Sequence, residues 1–319
     1  MTSRLIRNTA ILAKIESAYG TDSVPTGAAN AILVSKPSFD INYNNVNRDL
    51  IRGFMGGSEQ LVGTRSVNLG FDVELSGSGD AGLTAPAWAP LLKACGFAET
   101  DAGAYFEYTP LSDTLPSLTI YYYDDGVLHK ALGCRGTCEF KLGLGDKPTM
   151  SYKFSGIDGG PTAAANPALT LTAFQRPVAM TNPNAGDVMV GPTYATGALS
   201  GGTAYPSRGI ALNVGNSVQY TPMLGGEAVD IVARDSSGST ELELTAAQEV
   251  TFMTDIDANT LTSIGFSFGT VAGNILVLYM PAVQRINPKR SEYNGRRLIG
   301  LDLRVLPAAG NDEIKIVVK

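Results

Sequence analysis

The residues that could do chemistry gather in two stretches. Residues 70–99, GFDVELSGSGDAGLTAPAWAPLLKACGFAE, carry Gly77, Gly79 and Gly82 at G-x-G-x-x-G spacing, with Glu99 about twenty residues beyond the first glycine. In a dinucleotide site such glycines let the backbone approach a pyrophosphate, a helix N-terminus receives the charge, and the later acid binds a ribose hydroxyl. Residues 118–156 hold the only histidine, His129, the acidic pair Asp124-Asp125, and Cys134 and Cys138 four residues apart. Those types could supply a general base, an acid–base pair, or thiolate ligands.

The elements that must position these groups argue against each chemistry. Val67, Leu69, Phe71, Val73 and Leu75 alternate with Asn68, Gly70, Asp72 and Glu74, which is a half-buried antiparallel strand. A strand feeding a nucleotide site lies in a covered parallel sheet and is apolar throughout. The helix that follows starts at Pro86 or Pro90, several residues past Gly82, so its N-terminus misses the glycines. A loop is the better reading. In a strand, Cys134 and Cys138 are separated by about 13 Å, too far for a mutual disulfide. His129 faces the polar side without a second histidine, and Asp124-Asp125-Gly126 is a hairpin turn. No nucleophile–base set assembles, and neither catalytic, cofactor nor metal-ligating residues are expected.

Composition narrows the class further. The 319 residues are 44% hydrophobic and 17% charged, so a sizeable core is expected. Thirty-six glycines and 17 prolines fit many turns between short strands, and the net charge of −6 disfavours a protein that grips phosphates through a basic face. Three cysteines and one histidine are too few for a disulfide framework. MTSRLIRNTAILAKIES carries charges through its apolar runs, so neither a secretory leader nor a membrane anchor is expected there; the cysteines should be thiols in a reducing cytoplasm.

Along the chain, residues 1–36 lack sustained periodicity and are expected to form an extended arm. Residues 37–157 alternate with period two and include a three-strand meander from 118 onward. Residues 158–209, rich in Pro, Gly, Ala and Thr, are expected to be a loop-rich linker. Strand patterns return over 210–319. A hairpin is expected about the DSSG of residues 235–238, and Thr245-Ala246-Ala247-Gln248 fits a capping box, although VTFMTDI also fits a strand. The two halves share an element order, with LTIYYYDDGVLHKALG matching IGFSFGTVAGNILVLY and TMSYKFSG matching DEIKIVVK; RINPKRSEYNG stands as an insertion in the second copy. The expectation is a mainly β chain, antiparallel sheets with a short helix, in two tandem domains.

LAKIESAYGTDSVPTGAANAILVS, RDLIRGFMGGSEQLVGTRSVNLGFDVELSGSG, APAWAPLLKACGFAET and RRLIGLDLRVLPAAGNDEIKIVVK resemble the tail tube (major tail) proteins of long-tailed bacteriophages. The resemblance covers most of the chain. It implies a β-sandwich-like tube domain, sheets joined edge to edge between neighbours, and stacked rings through which DNA passes into the host. Implied partners are other copies of the chain, tail tip and terminator proteins, a tape measure protein and, transiently, DNA. It also implies a place in the virion tail after assembly in the host cytoplasm. Tandem copies would give trimers with pseudo-six-fold geometry; an unrelated second domain would give hexamers. A β-rich binding or decorating module, adhesin-like, is the alternative. Candidate inter-subunit residues are Arg48, Arg52, Phe54 and Met55 in the loop 46–63, and Arg285, Lys289, Arg290, Arg296 and Arg297 in a basic loop.

Overall fold

The computed structural model describes residues 4–319. The first half runs β1 (Thr9–Ile15), β2 (Ala31–Ile32), β3 (Ser35–Tyr43), β4 (Val46–Asn47), β5 (Gln60–Leu61), β6 (Arg65–Glu74), α1 (Ala89–Ala94), β7 (Phe97–Asp101), β8 (Phe106–Pro110), β9 (Leu118–Asp124), β10 (Val127–Gly143) and β11 (Thr149–Ala163). The second runs β12 (Val188–Val190), β13 (Thr193–Ala195), β14 (Ala198–Ser200), β15 (Thr203–Tyr205), β16 (Ser207–Asn213), β17 (Asn216–Met223), β18 (Gly226–Arg234), β19 (Ser237–Leu242), α2 (Ala246–Asp257), β20 (Leu261–Phe268), β21 (Leu276–Tyr293), β22 (Arg296–Leu306) and β23 (Lys315–Val318). The mainly β expectation holds.

Eight strands form one continuous antiparallel sheet in the order β3-β6-β11-β10-β16-β19-β22-β21, four from each half. Its inner face is apolar: Leu69, Phe71, Tyr152, Phe154, Phe140, Leu212, Leu301 and Leu303 are all buried. The period-two pattern dictates this, because alternate side chains stand on opposite faces. The long strands β10 and β21 run past this sheet into a second layer, where their first halves pair with β9 and β20. Helix α1 plugs the layer gap. It is six residues long, Pro90 sits in its first turn, and Trp88 before it is buried, donating Nε1–H to the Ser76 carbonyl at 2.7 Å.

The pairings of the halves repeat one another. β1–β2 is matched by β12–β15, β1–β9 by β12–β20, β9–β10 by β20–β21, β10–β11 by β21–β22, β6–β11 by β19–β22, and β3–β6 by β16–β19. Each half also inserts a hairpin at the same point, β4–β5 or β17–β18. Both β3 and β16 begin with a bulge containing a left-handed residue, Lys36 at φ 51° and Gly209 at φ 109°.

Several expectations need correction. The arm 1–36 contributes β1, whose Ala10, Ile11, Leu12 and Ala13 are buried and which pairs along its length with β9; its alternation is hidden because both faces are covered. Within it, Glu16 is buried and accepts from Ser117 Oγ, Thr119 Oγ1 and the amides of Gly20 and Gly133 at 2.6–2.9 Å. The linker 158–209 contains the end of β11 and all of β12–β15, strands too short to show a period. TMSYKFSG, in β11, corresponds to RRLIGLDLRVL in β22, not to DEIKIVVK. RINPKRSEY is not an insertion but the outer half of β21, equivalent to the outer half of β10. DSSG is not a hairpin turn, since β18 pairs with β17 and β19 with β16 and β22. VTFMTDI is helical within α2, whose Thr245–Gln248 capping box is formed.

Gly209 lies on the seam between the halves, opposite Gly143. A Cβ there would stand 1.9 Å from the Leu142 carbonyl oxygen. Gly209→Ala is therefore expected to lower stability by about 1–3 kcal/mol, read as a reduced urea midpoint. Cys95, Cys134 and Cys138 are buried free thiols whose ionisation burial pushes well above the usual range. All three should resist iodoacetamide in the folded protein at pH 8 and react together on denaturation; rapid labelling of any one would contradict this packing.

Candidate functional site

The outer face of the eight-stranded sheet is polar. Its row includes Asp40, Asn68, Asp72, Ser151, Lys153, Glu139, Lys141, Asn213, Ser239, Glu241, Asp302 and Lys289, partly or fully exposed. A hollow lined by Lys141, Gly143, Ala211, Ser239, Glu241 and Asp302 spans β10, β16, β19 and β22, so this face is concave there. Bases on it meet acids: Lys141 with Glu139 at 3.2 Å, Lys36 with Asp72 at 3.2 Å, Arg208 with Glu241 at 2.9 Å, Lys147 with Glu74 at 2.6 Å and Lys289 with Asp302 at 3.4 Å. Partial burial of Asp72 works toward a higher pKa, but hydrogen bonds from Ser151 and Lys36 outweigh it and hold the carboxyl below its ordinary value.

The halves meet along β10–β16, with Glu139 opposite Asn213, Phe140 opposite Leu212 and Lys141 opposite Ala211. Around this seam, Asn216 Nδ2 donates to the carbonyls of Cys95 and Gly136 at 2.7 and 2.9 Å. Arg135 donates to the carbonyls of Val229 and Leu115 at 2.9 and 2.8 Å, pairs with Asp230, and stacks 4.8 Å from the Tyr19 ring. The β17–β18 hairpin of the second half is thus held on β10 of the first. Both outer edges of the sheet are open. β3 pairs only with β6, and β21 from Arg285 outward pairs only with β22 among the described residues.

The sequence-derived candidates fall on these margins, with one exception. Arg48 and Arg52 both pair with Glu59 across the base of the β4–β5 hairpin, and Phe54 and Met55 at its tip are 72% and 99% exposed. Lys289, Arg290, Arg296 and Arg297 are exposed on β21 and β22; Arg290 and Arg296 reach Glu249 and Glu243 at 3.1 Å. They lie on paired strands, so the expected basic loop is a β-hairpin arm turning at Asn294-Gly295. Arg285 does not belong with them. It is 3% exposed, pairs with Asp255 at 2.8 Å and lies over Phe252, because its position faces α2. The β3 edge residues Lys36, Ser38 and Asp40 were missed, although Pro37 in a strand is a sign of an edge.

The glycine motif is a loop tied to another loop. Gly79 donates to the Gly273 carbonyl at 2.9 Å, Gly77 to Asn274 Oδ1 at 2.7 Å, and Asp80 accepts from Ser78 and Thr84. A Cβ on Gly77 would lie 2.0 Å from the Gly273 oxygen, so the glycine serves this close approach. His129 is half-buried against Phe39, with ring centroids 4.8 Å apart. No helix among the described residues is long and apolar enough to cross a membrane, and no group of three or more His, Cys, Asp or Glu is placed to hold a metal.

Comparison with curated proteins found no match. The family model described as "Phage tail tube protein" matches residues 6–310, which takes in both repeated halves, the seam between them and both open edges. The chain belongs to the phage tail tube protein family.

Proposed function

We propose that this structural tail protein assembles head to tail into rings, and that the rings stack into a hollow conduit for DNA. The observation that carries this reading is the repeated strand pairing that ends in two unpaired edges. An isolated chain exposes rows of backbone donors and acceptors there, a hazard that assembly removes. Two tandem tube units per chain favour three copies with pseudo-six-fold geometry, with six copies as the alternative. Three copies carrying eight strands each would line the bore with 24. At about 4.8 Å between strands that is a backbone diameter of at least about 37 Å, which strand tilt widens further and which admits a DNA duplex.

The concave polar face is proposed to line that bore. Most of its bases, Lys153 excepted, are engaged by acids and the chain is acidic as a whole, so a passing duplex finds few free cations. Each phosphate contact adds affinity and would slow passage. Apolar tips such as Phe54, Met55 and Leu224, the last 107% exposed, are proposed to meet adjacent rings. Tail tip, terminator and tape measure proteins are the proposed partners at the ends and in the bore, and assembly in the host cytoplasm precedes incorporation into the virion.

Electron microscopy of concentrated protein should show rods or stacked annuli. Native mass measurement of one ring should give about 100 kDa, three times the 33.5 kDa chain. A mass near 200 kDa would indicate six copies, and dispersed monomers under all conditions would reject the conduit in favour of a decorating module.

A further inference from the structure

The repeat maps six pairings of one half onto the other; β7–β8 and the pairings of β23 with β8 and β21 lie outside it, and so does the seam. The counterpart of β10–β16 would join the outer half of β21 to β3, and neither strand is paired there. These edges lie at opposite ends of the eight-strand order. Resting on the tube reading above, we infer that the outer edge of β21 in one copy pairs antiparallel with β3 of the next copy, in the register of the internal seam.

The register can be transferred residue by residue. DVELS of residues 72–76 aligns with ELELT of residues 241–245, which places Val73 with Leu242 and Leu69 with Gly238. Val73 opposes Met150, and Met150 opposes Phe140; Leu242 opposes Ile299, and Ile299 opposes Arg290. Glu139, Phe140 and Lys141 therefore correspond to Lys289, Arg290 and Ser291. On the other strand, Leu69 opposes Phe39 and Gly238 opposes Leu212, so Asn213, Leu212 and Ala211 correspond to Asp40, Phe39 and Ser38. Carrying the internal pairs across puts Lys289 opposite Asp40, Arg290 opposite Phe39, and Ser291 opposite Ser38 of the next copy.

Two independent features fit this seam. First, the transferred register sets a cation against an anion: Lys289 is exposed, held only by the partly buried Asp302 at 3.4 Å, and Asp40 is in no ion pair among the described residues. Opposite charges directly across an antiparallel pair are favourable, like charges unfavourable. Second, both hairpins expose apolar tips, Met223 and Leu224 on β17–β18 included, but they differ in how their bases are held. β17–β18 is anchored on β10 through Arg135 and Tyr19, burying Val229, whereas β4–β5 leaves Leu50, Ile51, Phe54 and Met55 exposed. The repeat lays β4–β5 on the flank of the next copy's β21 just as β17–β18 lies on β10. A heterologous contact of this kind propagates head to tail and closes if the rotation permits.

The test is a double-cysteine chain, Lys289→Cys with Asp40→Cys, assembled, air-oxidised and run on a non-reducing denaturing gel. Directly opposed residues have Cβ atoms about 4.5–5.5 Å apart, close enough for a disulfide after small adjustment. Expected are covalent dimers and trimers, the native thiols being buried. The offset pair Ser291→Cys with Asp40→Cys, diagonal at about 7–8 Å, should crosslink at least about tenfold less. Charge reversal checks the same contact without thiols: Lys289→Glu should slow assembly about fivefold or more, and adding Asp40→Lys should restore it. Normal rods without crosslinks from the 289/40 pair, or equal crosslinks from the offset pair, would overturn the seam while leaving the tube intact. A wild-type chain that never forms rods or rings would overturn both.

Discussion

The structure depends on a requirement of the peptide backbone: a strand's outward donors and acceptors must find partners. Each buried polar group left unmet costs about 1–3 kcal/mol, and a long exposed edge invites uncontrolled pairing. Between its halves this chain meets the requirement where β8 pairs with β23 and at the seam where β10 receives β16. It leaves the equivalent pair of edges open at β3 and β21. A repeated unit is suited to this, since the geometric solution that serves within the chain is the one proposed above between chains.

Rigid anchoring comes from a few buried polar groups. Glu16 gathers four donors, from Gly20, from Ser117 and Thr119 at the start of β9, and from Gly133 in the β10 bulge, while Asn216 and Arg135 fasten the second half's hairpin to the first. Such buried, hydrogen-bonded groups fix orientation more than they add net stability, because removing one partner strands the others. The ion pairs on the concave face act differently. Exposed pairs contribute about 0–1 kcal/mol each; in the conduit proposed above, their weight would lie in occupying cations that would otherwise hold phosphates. Fold stability rests instead on the apolar face, where Phe71, Tyr152 and Phe154 stack from strand to strand at 5.6–5.9 Å between ring centroids.

Legibility in the sequence followed the geometry of burial. β6 and the meander β9–β10–β11 were evident because one face is dry and the other wet, and the turn at Asp125-Gly126, both with positive φ, has the residues such a hairpin needs. β1 was misjudged because Ala10, Ile11, Leu12 and Ala13 are all covered, which erases the alternation. The strands between 188 and 205 have three residues each, less than two periods. The repeat was visible as an element order but misaligned at its end, since β23 follows the meander's equivalent and mimics its last strand in composition. Among candidate residues, Phe54, Met55 and Lys289 were found by unusual exposure of type, while Arg285 was misplaced because a cation's burial against Asp255 and Phe252 is set by a helix packed on it from elsewhere.

By itself, the sequence determined the class of the molecule: period-two apolar patterning commits most of the chain to two-faced antiparallel strands, and a glycine motif fed by such a strand cannot sit at a helix N-terminus. Only the tertiary structure decided how the halves join, which edges stay open and which residues stand opposite one another. Those are relations between residues far apart in the chain, such as Asn213 and Glu139 or Ile316 and Tyr108. Local periodicity records which face a residue occupies, not which neighbour its backbone bonds to, so the pairing has to be read in three dimensions.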